Sequence, residues 1–451
     1  RSSEYLRNQL HERGRDLCTE REQRESKRSS DRDRIFRRGI KENGGMSYGR
    51  TSIFACVRDI GERKMKAEKG NNLEKELQKM LTAIHPADPC VAETALKRWN
   101  SIAKPLHSLG KLEKDIIQIA GMTGDPNVHL DKKALLVMCA DNGVVEEGVT
   151  QTGQEVTAIV AENFLTGNTS AAIMCRQAGV DLFPVDIGMV TDTKVPDVKI
   201  RYGTANFVKE PAMTRGEAVR AILTGIQIAR DKKKEGYQIL CIGEMGIGNT
   251  TTSSAVASVL LGKEPEELTG RGAGLDDSGL QKKIQAICTG IEKHHPRADD
   301  PVDVLAKVGG LDIAGMAGIC LGGAIEHIPV MLDGFISDVA ALLAVHLCPA
   351  VKDYLLISHV SKEPGAGMVL RELTAEKASD VHGMNLGMCL GEGTGAVAYL
   401  PVLELGLSVY QEMSTFAENQ IEDYKDYTKE NPAKDSPEKT EANIGGTPCC
   451  M

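Results

Sequence analysis
Between about residue 130 and residue 400, short apolar runs alternate with longer stretches of helical periodicity. The runs are Ala134–Ala140, Val180–Val185, Gln238–Ile242, Ile328–Leu332 and Tyr354–Ile357. Each is almost continuously apolar, the pattern of strands buried on both faces. Helices are expected between them at Glu155–Leu165, Arg215–Ala229, Thr251–Leu261 and Val339–His346. Such alternation predicts parallel pairing through right-handed crossovers, an α/β fold.

A helical region, about Asn72–Met122, precedes the first run. It is expected to pack with a C-terminal helix at about Val402–Ala417, forming a small all-α subdomain. The organisation predicted is a charged, disordered extension over 1–71, then helices over 72–125 and an α/β catalytic domain over 126–400. A returning helix over 401–423 and a disordered tail over 424–451 complete it.

Nearly every apolar run leads into a polar loop: Asp141-Asn142-Gly143, Asp186-Ile187-Gly188, Gly243-Glu244-Met245-Gly246, Asp333-Gly334 and Ser358-His359. In a parallel sheet these loops share the edge beyond the carboxyl ends of the strands, where ligands bind. That is an enzyme's arrangement.

Composition narrows the partners. Of 451 residues, 41% are hydrophobic and 26% charged, which excludes disorder over the whole length. Thirteen Lys/Arg against nine Asp/Glu leave residues 1–45 at +4, within a chain whose total is −9. An acidic chain with one tryptophan and 4% aromatics offers neither an electrostatic footprint nor stacking platforms for nucleic acid. The longest uncharged apolar run, Ile313–Ile325, is shorter than the roughly 20 residues a membrane helix needs. No signal-peptide pattern opens the chain, and its cysteines form no CxxC pair. A cytoplasmic protein is expected, with no membrane and no nucleic-acid partner.

Three glycine-rich loops carry candidate chemistry. Gly243–Thr251 has the G-x4-G spacing of a phosphate loop, but Asn249 stands where such a loop has lysine. Its backbone suits one phosphate or a ribose, or it is a plain turn with Thr250 or Thr251 as helix cap. Thr269–Gly274 precedes a helix bearing Lys282 and Lys283, which are surface charges unless one turns toward the first loop. Glu392 lies between glycines in Leu390–Ala396. Partial desolvation there would suit it to general-base work, and capping of the next helix is the bland alternative. No histidine pair has metal spacing, so no metal is expected.

Taken in order, several motifs resemble the nicotinate-nucleotide:dimethylbenzimidazole phosphoribosyltransferase family. The carriers are Lys104-Pro105 with Ser108–Glu113, Met138–Val144 with Glu147–Val149, Gly243–Thr251, Gly309-Gly310, Leu332–Phe335, Ser358–Ser361 and Leu390–Gly395. They span about Asn72 to Ala417. The resemblance implies a Rossmann-like parallel sheet with helices on both faces, a small all-α subdomain, a homodimer whose partner helix closes the site, and no cofactor.

It also implies a reaction. Glu392 would take a proton from one benzimidazole nitrogen while the other attacks C1 of the ribose in nicotinate mononucleotide, inverting the linkage and releasing nicotinate. Glu244, Gly246 and Asn249 in the following turn would hold the ribose and nicotinate. Lys283 and Ser361 would meet the phosphate, Asp333 and Gly334 would line the same edge, and Thr152 and Leu390 would form the base pocket. Two departures are visible. Asn142 replaces a common histidine, and Ile159 stands where some members have glutamine, which predicts a more apolar base pocket. A phosphate-loop kinase or NTPase and a non-catalytic nucleotide-binding protein are the rival readings.

Overall fold
The computed structural model describes residues 70–374 and 383–425. The expected extension over 1–71 and tail over 424–451 therefore lie almost wholly outside the described residues. Gly70 already begins a helix, two residues inside the expected extension.

Three helices come first: α1 (Gly70–Leu81), α2 (Pro89–Ser101) and α3 (Lys111–Thr123). The Asp88 carboxylate caps α2 by accepting the Cys90 and Val91 N–H groups, and Pro89 sits where no N–H is needed. Gly124, in the left-handed conformation, ends α3. Buried Lys104 pairs with Glu113 at 2.7 Å, which ties the Lys104-Pro105 segment to α3.

The sheet alternates with helices as expected. β1 (Lys133–Ala140) is followed by α4 (Glu155–Thr166) and α5 (Ser170–Ala178), then β2 (Val180–Gly188) and α6 (Arg215–Lys234). β3 (Ile239–Met245) leads to α7 (Asn249–Leu261), short α8 (Pro265–Leu268), α9 (Asp277–His294), α10 (Pro301–Val308) and α11 (Leu311–Ile325). β4 (Val330–Leu332), α12 (Phe335–Leu347), β5 (Leu355–Ile357), α13 (Ala366–Thr374) and α14 (Thr394–Glu412) complete the order.

All pairings are parallel, in the order β2-β1-β3-β4-β5. Every residue of β1 is buried, so helices cover both faces. The expected apolar stretch at Ile313–Ile325 is the buried helix α11. It meets α6 through glycine: a Cβ on Gly225 would lie 2.0 Å from the Gly315 carbonyl, and one on Gly318 would lie 2.1 Å from that of Ile222. Small residues there let two backbones touch.

The C-terminal helix departs from expectation. It starts at Thr394 rather than near Val402, ends at Glu412, and contains Pro401. Proline reads as a boundary in sequence, but inside a packed helix it forfeits one hydrogen bond and the helix continues. α14 packs on α3, as expected of a subdomain helix, and also on α5, β3 and β4. The predicted boundary at residue 400 thus falls within one continuous element. Because strand order reverses at β1, a crevice opens beyond the carboxyl ends of β1 and β3.

Candidate active site
Beyond those strand ends lies a cavity of about 250 Å³. Glu244, Gly246 and Asn249 line it from the β3–α7 loop, and Asp333 and Gly334 from the end of β4. Thr152, Ser361, Leu390 and Glu392 complete the expected set. Lys283 alone stands behind the wall.

Its position answers the surface-charge alternative. On α9, Lys282 is exposed, whereas Lys283 is buried and donates from Nζ to Thr250 Oγ1 (2.8 Å) and to the Gly270 carbonyl (3.0 Å). One amine therefore joins the two glycine-rich loops. Burial draws its pKa down to about 8, and the Glu363 carboxylate opposes that shift. At neutral pH the amine keeps most of its charge beside the cavity.

The first loop turns on Gly248, whose φ of 93° places it in the left-handed region. Gly248 is also the N-terminal cap of α7, so neither Thr250 nor Thr251 has the capping role considered from sequence. Asn249 begins α7 and donates its side-chain amide to Glu244 Oε2. Where a triphosphate loop offers a cation, this loop spends a neutral amide on its own neighbour. That removes the basis of the kinase or NTPase reading.

Glu392 sits at φ 61°, flanked by Gly391 at 84° and Gly393 at 81°. Holding a non-glycine residue there costs about 1–2 kcal/mol, which the surroundings must offset. Asp333 supplies the offset. Its buried carboxylate accepts the N–H groups of Gly393 (3.1 Å), Gly395 (2.6 Å) and Ala396 (3.3 Å), satisfying the first turn of α14. Glu392 is therefore not the helix cap. Its half-buried side chain turns to the cavity, with Oε2 buried and without a hydrogen-bond partner.

Desolvation raises the Glu392 carboxyl above its ordinary value, the Ala171 N–H at the start of α5 opposes the rise, and Asp333 adds to it. Burial also raises Asp333, against the pull of adjacent His359. Burial, then the charges of Asp312 and Asp333, push Glu244 up to about 8, against the Asn249 hydrogen bond. Glu244 and Glu392 thus face one cavity, and burial raises the carboxyls of both.

Neither sequence departure reaches the cavity wall. Ile159 is 58% exposed on α4, so it does not supply the more apolar base pocket expected of it. Asn142 is fully buried beneath the β3–α7 loop. Among the residues that sequence reading missed as site members, His359, Thr250, Arg271 and Glu363 also line the cavity. His359 follows a strand end, a signal that could have found it. Glu363 sits in no such pattern.

Comparison with known proteins gives a consistent result. A family model described as phosphoribosyltransferase matches residues 84–421. The nicotinate-nucleotide–dimethylbenzimidazole phosphoribosyltransferase of Ruminiclostridium cellulolyticum is 46% identical over 336 residues, covering 74% of this chain and 94% of that protein. Its namesake from Acetivibrio thermocellus is 46% identical over 332 residues, covering 73% and 93%. The crystal structure of CobT from Thermus thermophilus superposes with a TM-score of 0.69 at 37% identity, covering 74% of this chain and 99% of that one.

Proposed function
Since the chain belongs to the nicotinate-nucleotide–dimethylbenzimidazole phosphoribosyltransferase family, we propose that it moves the phosphoribosyl group of nicotinate mononucleotide onto dimethylbenzimidazole or a related base, with Glu392 as general base. The products are α-ribazole 5'-phosphate and nicotinate, and the use is assembly of the cobalamin nucleotide loop. The enzyme acts in the cytoplasm as a homodimer on small-molecule substrates.

One observation carries the reading: Glu392, held left-handed between two glycines, faces the same cavity as the Gly243–Thr251 loop that Lys283 braces. An ionised Glu392 takes the proton from one nitrogen of the base as the other nitrogen attacks C1 of the ribose. Attack opposite the departing nicotinate turns a β-linkage into an α-linkage. The bond from C1 to the pyridine nitrogen breaks, and its electron pair leaves with nicotinate.

The remaining residues position the partners. Lys283, the loop amides and Ser361 hold the phosphate at the head of α7, where a helix N-terminus favours an anion. Glu244, Gly246 and Asn249 meet the ribose and nicotinate, Gly334 adds backbone at the same edge, and Thr152 and Leu390 border the base. Fixing two substrates in line removes much of the entropic barrier to a bimolecular displacement.

The test is direct. Purified protein given nicotinate mononucleotide and 5,6-dimethylbenzimidazole should release free nicotinate in step with α-ribazole phosphate. Glu392→Gln should lower kcat by about 10²–10⁴-fold, the usual value of a positioned base, while nucleotide binding is retained. A Glu392→Gln enzyme turning over at the wild-type rate would remove the base from the mechanism.

A further inference from the structure
α7 and α12 follow β3 and β4, neighbouring parallel strands, so both helices begin at the same sheet edge, and they pack on each other. The reaction above places the phosphate at the head of α7. The head of α12 borders the same cavity through Gly334, Phe335 and Ile336. Its N-terminal cap is Gly334, which offers no side chain to the first turn. The first N–H groups of α12 therefore have no partner within the helix.

His359 stands beside that head and has no part in the reaction above. It is 3% exposed and borders the cavity. Its Nδ1 is sealed from solvent and has no hydrogen-bond partner, so the ring meets the cavity with its Nε2 edge. Nε2 lies 3.5 Å, and Ser361 Cβ 3.3 Å, from where a Cβ on Gly334 would be. Glycine keeps that point open between the imidazole and the serine. The ring is held in place. A Cβ on Gly395 would fall 2.7 Å from Nδ1 and Cε1 and 2.8 Å from Cδ2, so one face of the imidazole lies against the first turn of α14. The backbone on either side is fixed too: the Val360 N–H donates to the Met384 carbonyl (2.9 Å), and the Met384 N–H to that of Ser358 (3.0 Å).

Resting on the reading of this cavity given above, we propose that His359 is a further phosphate-binding residue: its Nε2–H and the open head of α12 donate to the phosphate of the nucleotide, alongside Ser361. Burial lowers the imidazole pKa, against the pull of Asp333, so the ring is neutral at pH 7 and carries one hydrogen. At Nδ1 that hydrogen would be sealed without an acceptor, which is costlier than a sealed lone pair. The hydrogen is therefore assigned to Nε2. A phosphate presents three oxygens and can accept from the imidazole, the serine and the helix head together. The partial positive charge of the helix start favours an anion there over a sugar hydroxyl.

Two amides test the assignment in the full-length enzyme. Glutamine carries its amide near the Nε2 position, and asparagine carries it near Nδ1. Calorimetric titration with nicotinate mononucleotide should find affinity about 10–100-fold lower for His359→Asn, the usual value of a hydrogen bond to a charged group. His359→Gln, which keeps a donor in place, should stay within about threefold of wild type. Binding of the dephosphorylated nucleoside, which retains the ring carboxylate, should be the same in all three proteins. Equal losses in the two variants would mean that the ring acts by packing. A parallel loss of nucleoside affinity would put the contact away from the phosphate. Either result overturns the proposal, as does His359→Asn binding the nucleotide like wild type. Should that variant fail to fold, nitrogen-15 histidine spectra of the wild type answer the same question, with His359→Gln identifying the signal. The Nε2 resonance should shift with nucleotide and stay in place with nucleoside. No shift, or a shift with both, overturns the proposal. Wild-type nicotinate release reports separately on the parent reading.

Discussion

The Asp333 carboxylate accepts the Gly395 N–H at 2.6 Å, joining the end of β4 to the first turn of α14. Glu392 lies on the short arc between them, so the same carboxylate that closes the helix sets where the proposed base stands. Asp333 borders the cavity, as the sequence resemblance implied, and its three backbone contacts give it a second part to play.

Replacing that anion with an amide tests the arrangement. Asp333→Asn loses charge-assisted bonds to Gly393, Gly395 and Ala396, and buried bonds of that kind contribute about 1.5–3 kcal/mol each. We expect a loss of about 2–4 kcal/mol in unfolding free energy, since one oxygen can still accept. Urea denaturation measures it. The kcat should fall further than nucleotide binding, because the loop that moves carries Glu392 and not Lys283.

The α6–α11 contact gives a prediction remote from the chemistry. Gly225→Ala would drive a methyl group to 2.0 Å from the Gly315 carbonyl, and backbone cannot yield as a side chain does. Overpacking of a core typically costs about 1–3 kcal/mol, and a clash with backbone belongs at the upper end. A drop in urea midpoint with an unchanged slope is the expected result. Gly216→Ala on the same helix, where a Cβ meets nothing within 4 Å, should leave the midpoint in place or raise it.

How far the sequence discloses this molecule depends on whether a residue's role is local. β1 and α4 are legible because burial on two faces and helical amphipathicity are written in consecutive residues. α14 is not, since Pro401 is punctuation in sequence while the packing of α14 against α3, α5 and the sheet is what holds it together. Glu392 stands out by its flanking glycines. Lys283 is ambiguous alone, since only the fold turns it inward and Lys282 outward.

Stability should depend on pH in a direction that Glu244 decides. Its folded pKa, about 8, lies above its ordinary value of 4.5, so the folded protein binds more protons between those limits. Its contribution is complete below the ordinary value and is lost as pH rises through about 8. Asp312, at about 6, has made most of its change by pH 7. Lys283 has the opposite sense, its folded pKa lowered to about 8, and acts mainly above that pH. The Tm should therefore fall between pH 6.5 and 8, roughly the interval a group of pKa about 8 governs. Glu244→Gln should flatten that fall, as scanning calorimetry of the two proteins will read.

Lys283 offers the sharpest test of where the phosphate binds. Its amine is held by Thr250 Oγ1 and the Gly270 carbonyl, both neutral acceptors that a phosphate can outbid. A hydrogen bond between charged groups contributes about 1.5–3 kcal/mol, equivalent to roughly 10–100-fold in affinity. Lys283→Met should therefore raise KM for nicotinate mononucleotide by about that factor and change kcat less, as expected of a residue that binds phosphate in ground state and transition state alike. Binding of the dephosphorylated nucleoside should not change. Calorimetric titration of both ligands into both proteins checks the pattern, and equal losses for nucleotide and nucleoside would place the phosphate elsewhere.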